Sequence, residues 1–155
     1  AQWETVSLGQ VADSVRGQLA QAAAAKQVTV EVEGDCGPIR AVPQIVEEIV
    51  YNLWDNAIAY NRSGGSVRVT LADCPGGSRI TVADTGIGIP EEELPKVFNR
   101  FYRVDKARSR ESGGTGLGLS IARSLTELQK GTLDLTVDGD LFKVVLRFPL
   151  LGPGA

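Results

Sequence analysis

Apolar and polar positions recur along the chain with two different periods, and the changes of period divide it into elements. Trp3 to Val6 reads as a short strand. Ser7-Leu8-Gly9-Gln10 has the spacing of a helix-capping box, after which Val11, Val15, Leu19 and Ala22 fall on one helical face. Val28, Val30 and Val32 alternate with polar residues and predict a strand that ends at Gly34-Asp35-Cys36-Gly37-Pro38. Pro43 suits a first helical position, and Ile45, Ile49, Leu53 and Ala57 carry a helix to about Tyr60. Asn61-Arg62-Ser63-Gly64-Gly65 breaks it.

In the second half, Val67, Val69 and Leu71 form one strand and Ile80 and Val82 another, joined as a hairpin through Asp73 to Gly77. A loop carrying Gly86 and Gly88 leads to an acidic helix start at Pro90-Glu91-Glu92-Glu93, and residues 99–115 show no sustained period. Leu117, Ile121, Leu125 and Leu128 predict a last helix. Leu133, Leu135 and Val137 pair with Phe142, Val144, Leu146 and Phe148 across Asp138-Gly139. The order β-α-β-α-β-β-loop-α-β-β, with two antiparallel hairpins, predicts an α/β (α+β) two-layer sandwich: a mixed sheet with helices on one face. One domain over residues 1–150 and a frayed tail over 151–155 are expected.

Composition changes this picture little. Of 155 residues 43% are hydrophobic and 23% charged, which excludes disordered, collagenous and low-complexity classes. A net charge of −3 weighs against a broad grip on nucleic acid, and no apolar run approaches the length that spans a bilayer. Cys36 and Cys74 sit beside turn residues in separate loops and are expected as free thiols. The chain has no methionine, so it is expected to be a piece of a longer protein. It has no histidine, which removes the commonest acid–base group.

Four features fit a plain core poorly. Asp84 shares strand parity with Ile80 and Val82 and so points toward the buried face, where a carboxylate needs hydrogen-bond donors. It is either the opening of a turn with Thr85 and Gly86 or an acceptor at a pocket mouth. Glu48, Asn52 and Asn56 are spaced four apart, one row along a helix beside its apolar face. Their oxygens suit a hard cation such as Mg²⁺, or else the row is a solvated flank. Gly113-Gly114-Thr115-Gly116-Leu117-Gly118 runs into a helix N-terminus, where glycines let backbone N–H groups approach an anion; a flexible hinge has the same composition. Arg100, Arg103, Lys106, Arg108 and Arg110, interleaved with Phe98, Phe101 and Tyr102, form a local basic loop in an acidic chain. Such a loop suits a phosphate ligand, a single-stranded nucleic acid or plain solvent, the acidic balance weighing against the nucleic acid.

Together these stretches resemble the ATP-binding catalytic domain of bacterial sensor histidine kinases, in the group that also holds gyrase B, Hsp90 and MutL ATPase domains. EIVYNLWDNAIAY (Glu48 to Tyr60), DTGIGIP (Asp84 to Pro90), FNRFYR (Phe98 to Arg103) and GGTGLGL (Gly113 to Leu119) match the N, G1, F and G2 boxes in order. The resemblance covers about Trp3 to Pro149, and the stretch from Phe101 to Ile121 is most similar to phosphate-sensing and cell-wall-sensing membrane kinases. It implies a Bergerat-type fold with a flexible lid and the cofactors ATP and Mg²⁺. Asp84 would accept from the adenine amino group, Asn56 would hold Mg²⁺ with Asn52 and Glu48 beside it, and Tyr60 would line the pocket. Gly86 and Gly88 would pass close to the base. Gly114, Thr115, Gly116, Leu117 and Gly118 would close over the phosphates, and Arg103 and Arg108 would neutralise them.

The implied activity is donation of the γ-phosphate to a histidine on a separate dimerisation domain of the same parent protein, and from there indirectly to a response regulator. The implied setting is a soluble, monomeric, cytoplasmic fragment of a homodimeric inner-membrane parent, with no nucleic-acid partner. Hydrolysing members of the wider group place a glutamate where this chain has Asn52, a neutral amide and a poor general base, so weak hydrolysis is expected. Family members usually carry Lys or Arg where this chain has Ala59, so one phosphate contact is missing. The alternatives are a serine kinase of the anti-sigma type, and a degenerate nucleotide-binding module without transfer activity.

Overall fold

The computed structural model describes residues 2–85, 118–138 and 141–149. The elements run β1 (Glu4–Val6), α1 (Leu8–Lys26), β2 (Thr29–Gly34), β3 (Ile39–Ala41), α2 (Pro43–Ala59), β4 (Ser66–Cys74), β5 (Gly77–Asp84), α3 (Gly118–Leu128), β6 (Thr132–Asp138) and β7 (Leu141–Pro149). The expected acidic helix start at 90–93, the loop over 99–115 and the tail over 151–155 lie outside the described residues.

Five strands form one mixed sheet in the order β2-β4-β5-β7-β6, with β2 parallel to β4 and every other neighbour antiparallel. The parallel pair needs a crossover, which α2 supplies. Alternation along the strands then builds one apolar face: Val67, Val69 and Leu71 of β4, Ile80 and Val82 of β5, and Val144, Leu146 and Phe148 of β7 are all buried. The helices cover that face as the second layer of the expected sandwich. The outer face is polar, and Arg68 of β4 pairs there with Glu31 and Glu33 of β2 at 3.3 and 3.9 Å. These pairs are exposed, so they add solubility more than stability.

Local signals account for most boundaries. Ser7 caps α1 by accepting the N–H of Gln10 at 3.3 Å. Pro43 opens α2 as expected, where a missing N–H is harmless. The β4–β5 hairpin is tighter than the spacing suggests. Cys74 pairs with Gly77, leaving Pro75 and Gly76 at the tip, and Gly76 takes φ +81° as a Pro-Gly turn requires.

Three expectations need correction. β3 was not expected: it is a three-residue strand that pairs with β1 in a separate small sheet, Val6 opposite Ile39. The buried face of α1 runs Leu8, Ala12, Val15, Leu19 and Ala23, so Ala22 points to solvent and its neighbour is inside. The stripe expected to bury α3 holds only in part: Leu125 packs against the core, but Ile121 and Leu128 are exposed while Ala122, Thr126 and the adjoining Gln129 are buried. Small side chains at 122 and 126 let α3 lie close to α2, and Gln129 turns inward to satisfy a backbone group of the α2 N-terminus.

Candidate functional site

The site is built where the C-terminal half of α2 meets the end of β5. α2 is apolar on most of its circumference, burying Val46, Ile49, Val50, Leu53, Trp54, Ala57, Ile58 and Ala59. That burial leaves one polar row, the expected one: Glu48 is exposed, and Asn52 and Asn56 are half-buried. Helical spacing stacks the two amides one turn apart. Asp55, beside this row, is half-buried, and loss of solvent raises its carboxyl above the usual value.

Asp84 arrives from the sheet. It ends β5 with only 8% of its surface exposed, on the helix-facing side it shares with Ile80 and Val82. Its ladder neighbours are Val67 of β4 and Phe142 of β7. The parity argument therefore holds: the carboxylate belongs to the face that α2 covers, and it is the last residue of the strand.

α2 thus carries a row of side-chain amides, and the end of β5 a buried carboxylate on the face that the helices cover. Such oxygen donors suit a hard cation. Among the described residues no group of three or more His, Cys, Asp or Glu side chains is placed to hold a metal.

Tyr60 follows α2 as its C-cap, its N–H donating to the carbonyl of Asn56 at 3.0 Å. Ala59 is buried, at 6% exposure, and its carbonyl accepts a hydrogen bond from the ammonium of Lys26 at the end of α1. A basic group from elsewhere in the chain thus stands beside the position where, by the resemblance, relatives usually carry a basic side chain. Gly118 opens α3. Gly86, Gly88, Arg103, Arg108, Gly114, Thr115, Gly116 and Leu117 lie outside the described residues.

Sequence reasoning missed Asn61. Its place in the sequence suggests only a helix breaker, yet its side chain is fully buried. Its Nδ2 donates to the carbonyl of Ser66 at 3.0 Å, and its Oδ1 accepts from the N–H of Arg62 at 2.9 Å and from the hydroxyl of Thr85 at 3.3 Å. The available signal was an asparagine directly after an apolar helix and four residues before a Gly pair's end, a site where a side-chain amide can replace lost backbone partners.

Away from this region, Cys36 and Cys74 are free and half-buried, as expected, although Cys74 is the last residue of β4 rather than a loop residue. Burial raises the Cys36 thiol, the nearby charges of Asp73, Asp35 and Cys74 add to the rise, and a hydrogen bond with Ser78 opposes it. Among the described residues no helix is long and apolar enough to cross a membrane.

Comparison with known proteins bears on the family and the fold. The profile of the family described as histidine kinase-, DNA gyrase B- and HSP90-like ATPase matches residues 41–152. The sensor histidine kinase RppB of Synechocystis sp. (strain ATCC 27184 / PCC 6803 / Kazusa) is 48% identical over 95 residues, 61% of this chain and 20% of that protein. The chain thus spans about a fifth of that relative's length. Among solved structures, the catalytic domain of histidine kinase ThkA superposes with a TM-score of 0.84 at 23% identity, covering 96% of each chain. ThkA in complex with the response regulator protein TrrA gives 0.79 at 22% identity, covering 95% of this chain and 41% of that one. The likeness to ThkA is one of fold, and the sequence match supplies the family: the chain belongs to the histidine kinase-, DNA gyrase B- and HSP90-like ATPase family, as a homologue of the ATP-binding catalytic domains of two-component sensor histidine kinases.

Proposed function

We propose that this domain binds Mg·ATP between α2 and the end of β5 and presents the γ-phosphate to a histidine on a separate dimerisation domain. The observation that carries the reading is the presence of a half-buried amide row, Asn52 and Asn56, on α2 together with a carboxylate, Asp84, buried at the end of β5 on the face the helices cover.

Each residue then has a defined task. Asp84 accepts from the exocyclic amine of adenine, a contact that a buried carboxylate makes strongly. Asn56 offers its amide oxygen to Mg²⁺, which spreads the charge of the phosphates, and Asn52 and Glu48 continue the same row. Tyr60 lines the pocket. By resemblance, Gly86 and Gly88 pass the base, and Gly114, Thr115, Gly116, Leu117 and Gly118 cover the phosphates with Arg103 and Arg108. Phosphoryl transfer needs positioning and electrostatic stabilisation more than covalent help from the protein. A neutral amide at Asn52 activates water poorly, which favours transfer over hydrolysis.

The chain has no histidine, so the acceptor imidazole comes from outside these 155 residues. The match to a sensor histidine kinase and the likeness to a kinase solved with a response regulator support such a regulator as the next recipient, and by the resemblance the acceptor domain lies in the same parent, a membrane-bound homodimer. Ala59 favours a second reading, a nucleotide-binding module without transfer activity, because the basic side chain usual at that position is absent.

Calorimetric titration with a non-hydrolysable ATP analogue, with and without Mg²⁺, tests the reading. Wild type is expected to bind in a Mg²⁺-dependent manner, and Asp84→Asn to bind roughly ten-fold or more weakly, as loss of a hydrogen bond to a charged group implies. Absence of binding to wild type overturns it. Phosphotransfer to an added histidine-bearing dimerisation domain then separates the kinase from the silent module.

A further inference from the structure

We infer that Asn61 and Thr85 form a clasp that sets the position of the Asp84 carboxylate, making Asn61 a positioning residue for adenine recognition. The inference deepens the nucleotide-binding reading above and rests on it.

Asp84 stands at a vulnerable place. The regular β4–β5 ladder ends at the pair Val67 and Asp84, and strand ends open readily unless something closes them. Here the closure is one backbone hydrogen bond reinforced by a set of side-chain bonds. Thr85 N–H donates to the carbonyl of Ser66 at 3.2 Å, and Ser66 N–H donates back to the Thr85 hydroxyl at 2.9 Å. The Thr85 hydroxyl proton is directed to Asn61 Oδ1 at 3.3 Å, with the Ser66 carbonyl at 3.5 Å as its other acceptor. Asn61 Nδ2 donates to that same Ser66 carbonyl at 3.0 Å. Asn61 thereby joins the start of β4, the residue after Asp84 and the exit of α2.

The fold makes room for this arrangement. A Cβ at Gly65 would stand 2.0 Å from Asn61 Oδ1 and 2.8 Å from Thr85 Oγ1, so the amide occupies space that only glycine leaves open. The turn is also held from the other side. Gly64 N–H donates to the carbonyl of Gln27 at 2.9 Å, and Thr29 N–H to the carbonyl of Gly65 at 3.0 Å. The clasp is therefore anchored to α1 and β2 as well as to the site. Asn56, Tyr60 and Asn61 lie on one continuous segment, so fixing Asn61 to Thr85 fixes the amide row relative to the carboxylate. A hydrogen-bond acceptor selects its donor only when the geometry is held.

The experiment compares non-hydrolysable analogues of ATP and of ITP, whose base lacks the amino group, binding to folded protein well below its melting temperature. Wild type is expected to prefer the adenine analogue. Asn61→Ala and Thr85→Val are expected to cut that preference by roughly ten-fold or more while Mg²⁺ dependence persists, and Thr85→Ser, which keeps the hydroxyl, to retain it. A general loss of stability would weaken both analogues alike and leave the ratio unchanged. Should Asn61→Ala fail to fold, Thr85→Val and Thr85→Ser make the same comparison. A wild-type ratio in Asn61→Ala and Thr85→Val, with the ratio lost in Asp84→Asn, overturns the clasp and leaves the nucleotide site standing. Failure of wild type to bind either analogue overturns both.

Discussion

The side-chain carbonyl of Gln129 accepts the backbone N–H of Val42 at 2.8 Å, joining the end of α3 to the N-cap of α2 across 87 positions of sequence. Val42 has no side-chain cap to offer α2, and both partners are buried. Removing the acceptor would leave a buried N–H without its partner, which costs about 1–3 kcal/mol. Gln129→Ala is expected to lose that amount in urea denaturation with an unchanged m-value, whereas Gln129→Glu keeps an acceptor but buries a charge and is expected to lose more at neutral pH than at pH 4.

The packing of α2 on the sheet makes a larger prediction. Trp54 is 1% exposed on the helix that carries Asn52 and Asn56. Truncation of a buried aromatic of this size costs about 3–5 kcal/mol, because the surroundings collapse only partly into the space. Trp54→Ala is expected to shift the denaturation midpoint accordingly. A shift corresponding to less than 1 kcal/mol would mean that the helix is seated by its other contacts.

The parts of this fold legible in the sequence are those whose signal is local. The Ser7 cap, the Pro43 start, the two hairpins and the parity of Asp84 each follow from neighbouring residues, and the structure has them all. What escaped depends on distant partners. β3 is three residues long and exists because β1 lies beside it. The rotation of α1 at Ala22 and Ala23 carries no signal, since two alanines look alike to a hydrophobic pattern. The pattern on α3 misleads at two positions, because Ile121 and Leu128 are more apolar than Ala122 and Thr126, yet close approach to α2 selects the small residues. Within the site, Asp84 and the asparagine row were readable from spacing, while the role of Asn61 depends on Thr85 and Ser66, which only the folded chain brings to it.

Cys36 supplies a pH prediction. Its thiol is raised by burial and by neighbouring negative charge, so between the ordinary thiol value and the raised one the folded state holds a proton that the unfolded state releases. Stability contributed by this group is complete below the ordinary value and is lost as pH rises through the raised one. Native-state alkylation of Cys36 at pH 8.5 is expected to be much slower than in urea, and Cys36→Ala to lessen the loss of stability between about pH 8 and 10. Equal alkylation rates in the two states would show that the thiol is not withdrawn from solvent.

Ala59 brings the structural and functional sides of the site together. Its side chain is buried and its carbonyl already receives the Lys26 ammonium. A lysine at this position would have to place its stem in filled space, which typically costs about 1–3 kcal/mol, and would bring a second ammonium near the first. Ala59→Lys is therefore expected to lower the melting temperature and to leave the affinity for an Mg²⁺-loaded ATP analogue no better than wild type. Lys26→Met, which keeps the apolar stem and removes the charge, is expected to restore part of the lost stability in the double variant, because it relieves the repulsion. Tighter nucleotide binding by Ala59→Lys at an unchanged melting temperature would show instead that position 59 opens toward the phosphates, and that its alanine is what weakens this chain's hold on them.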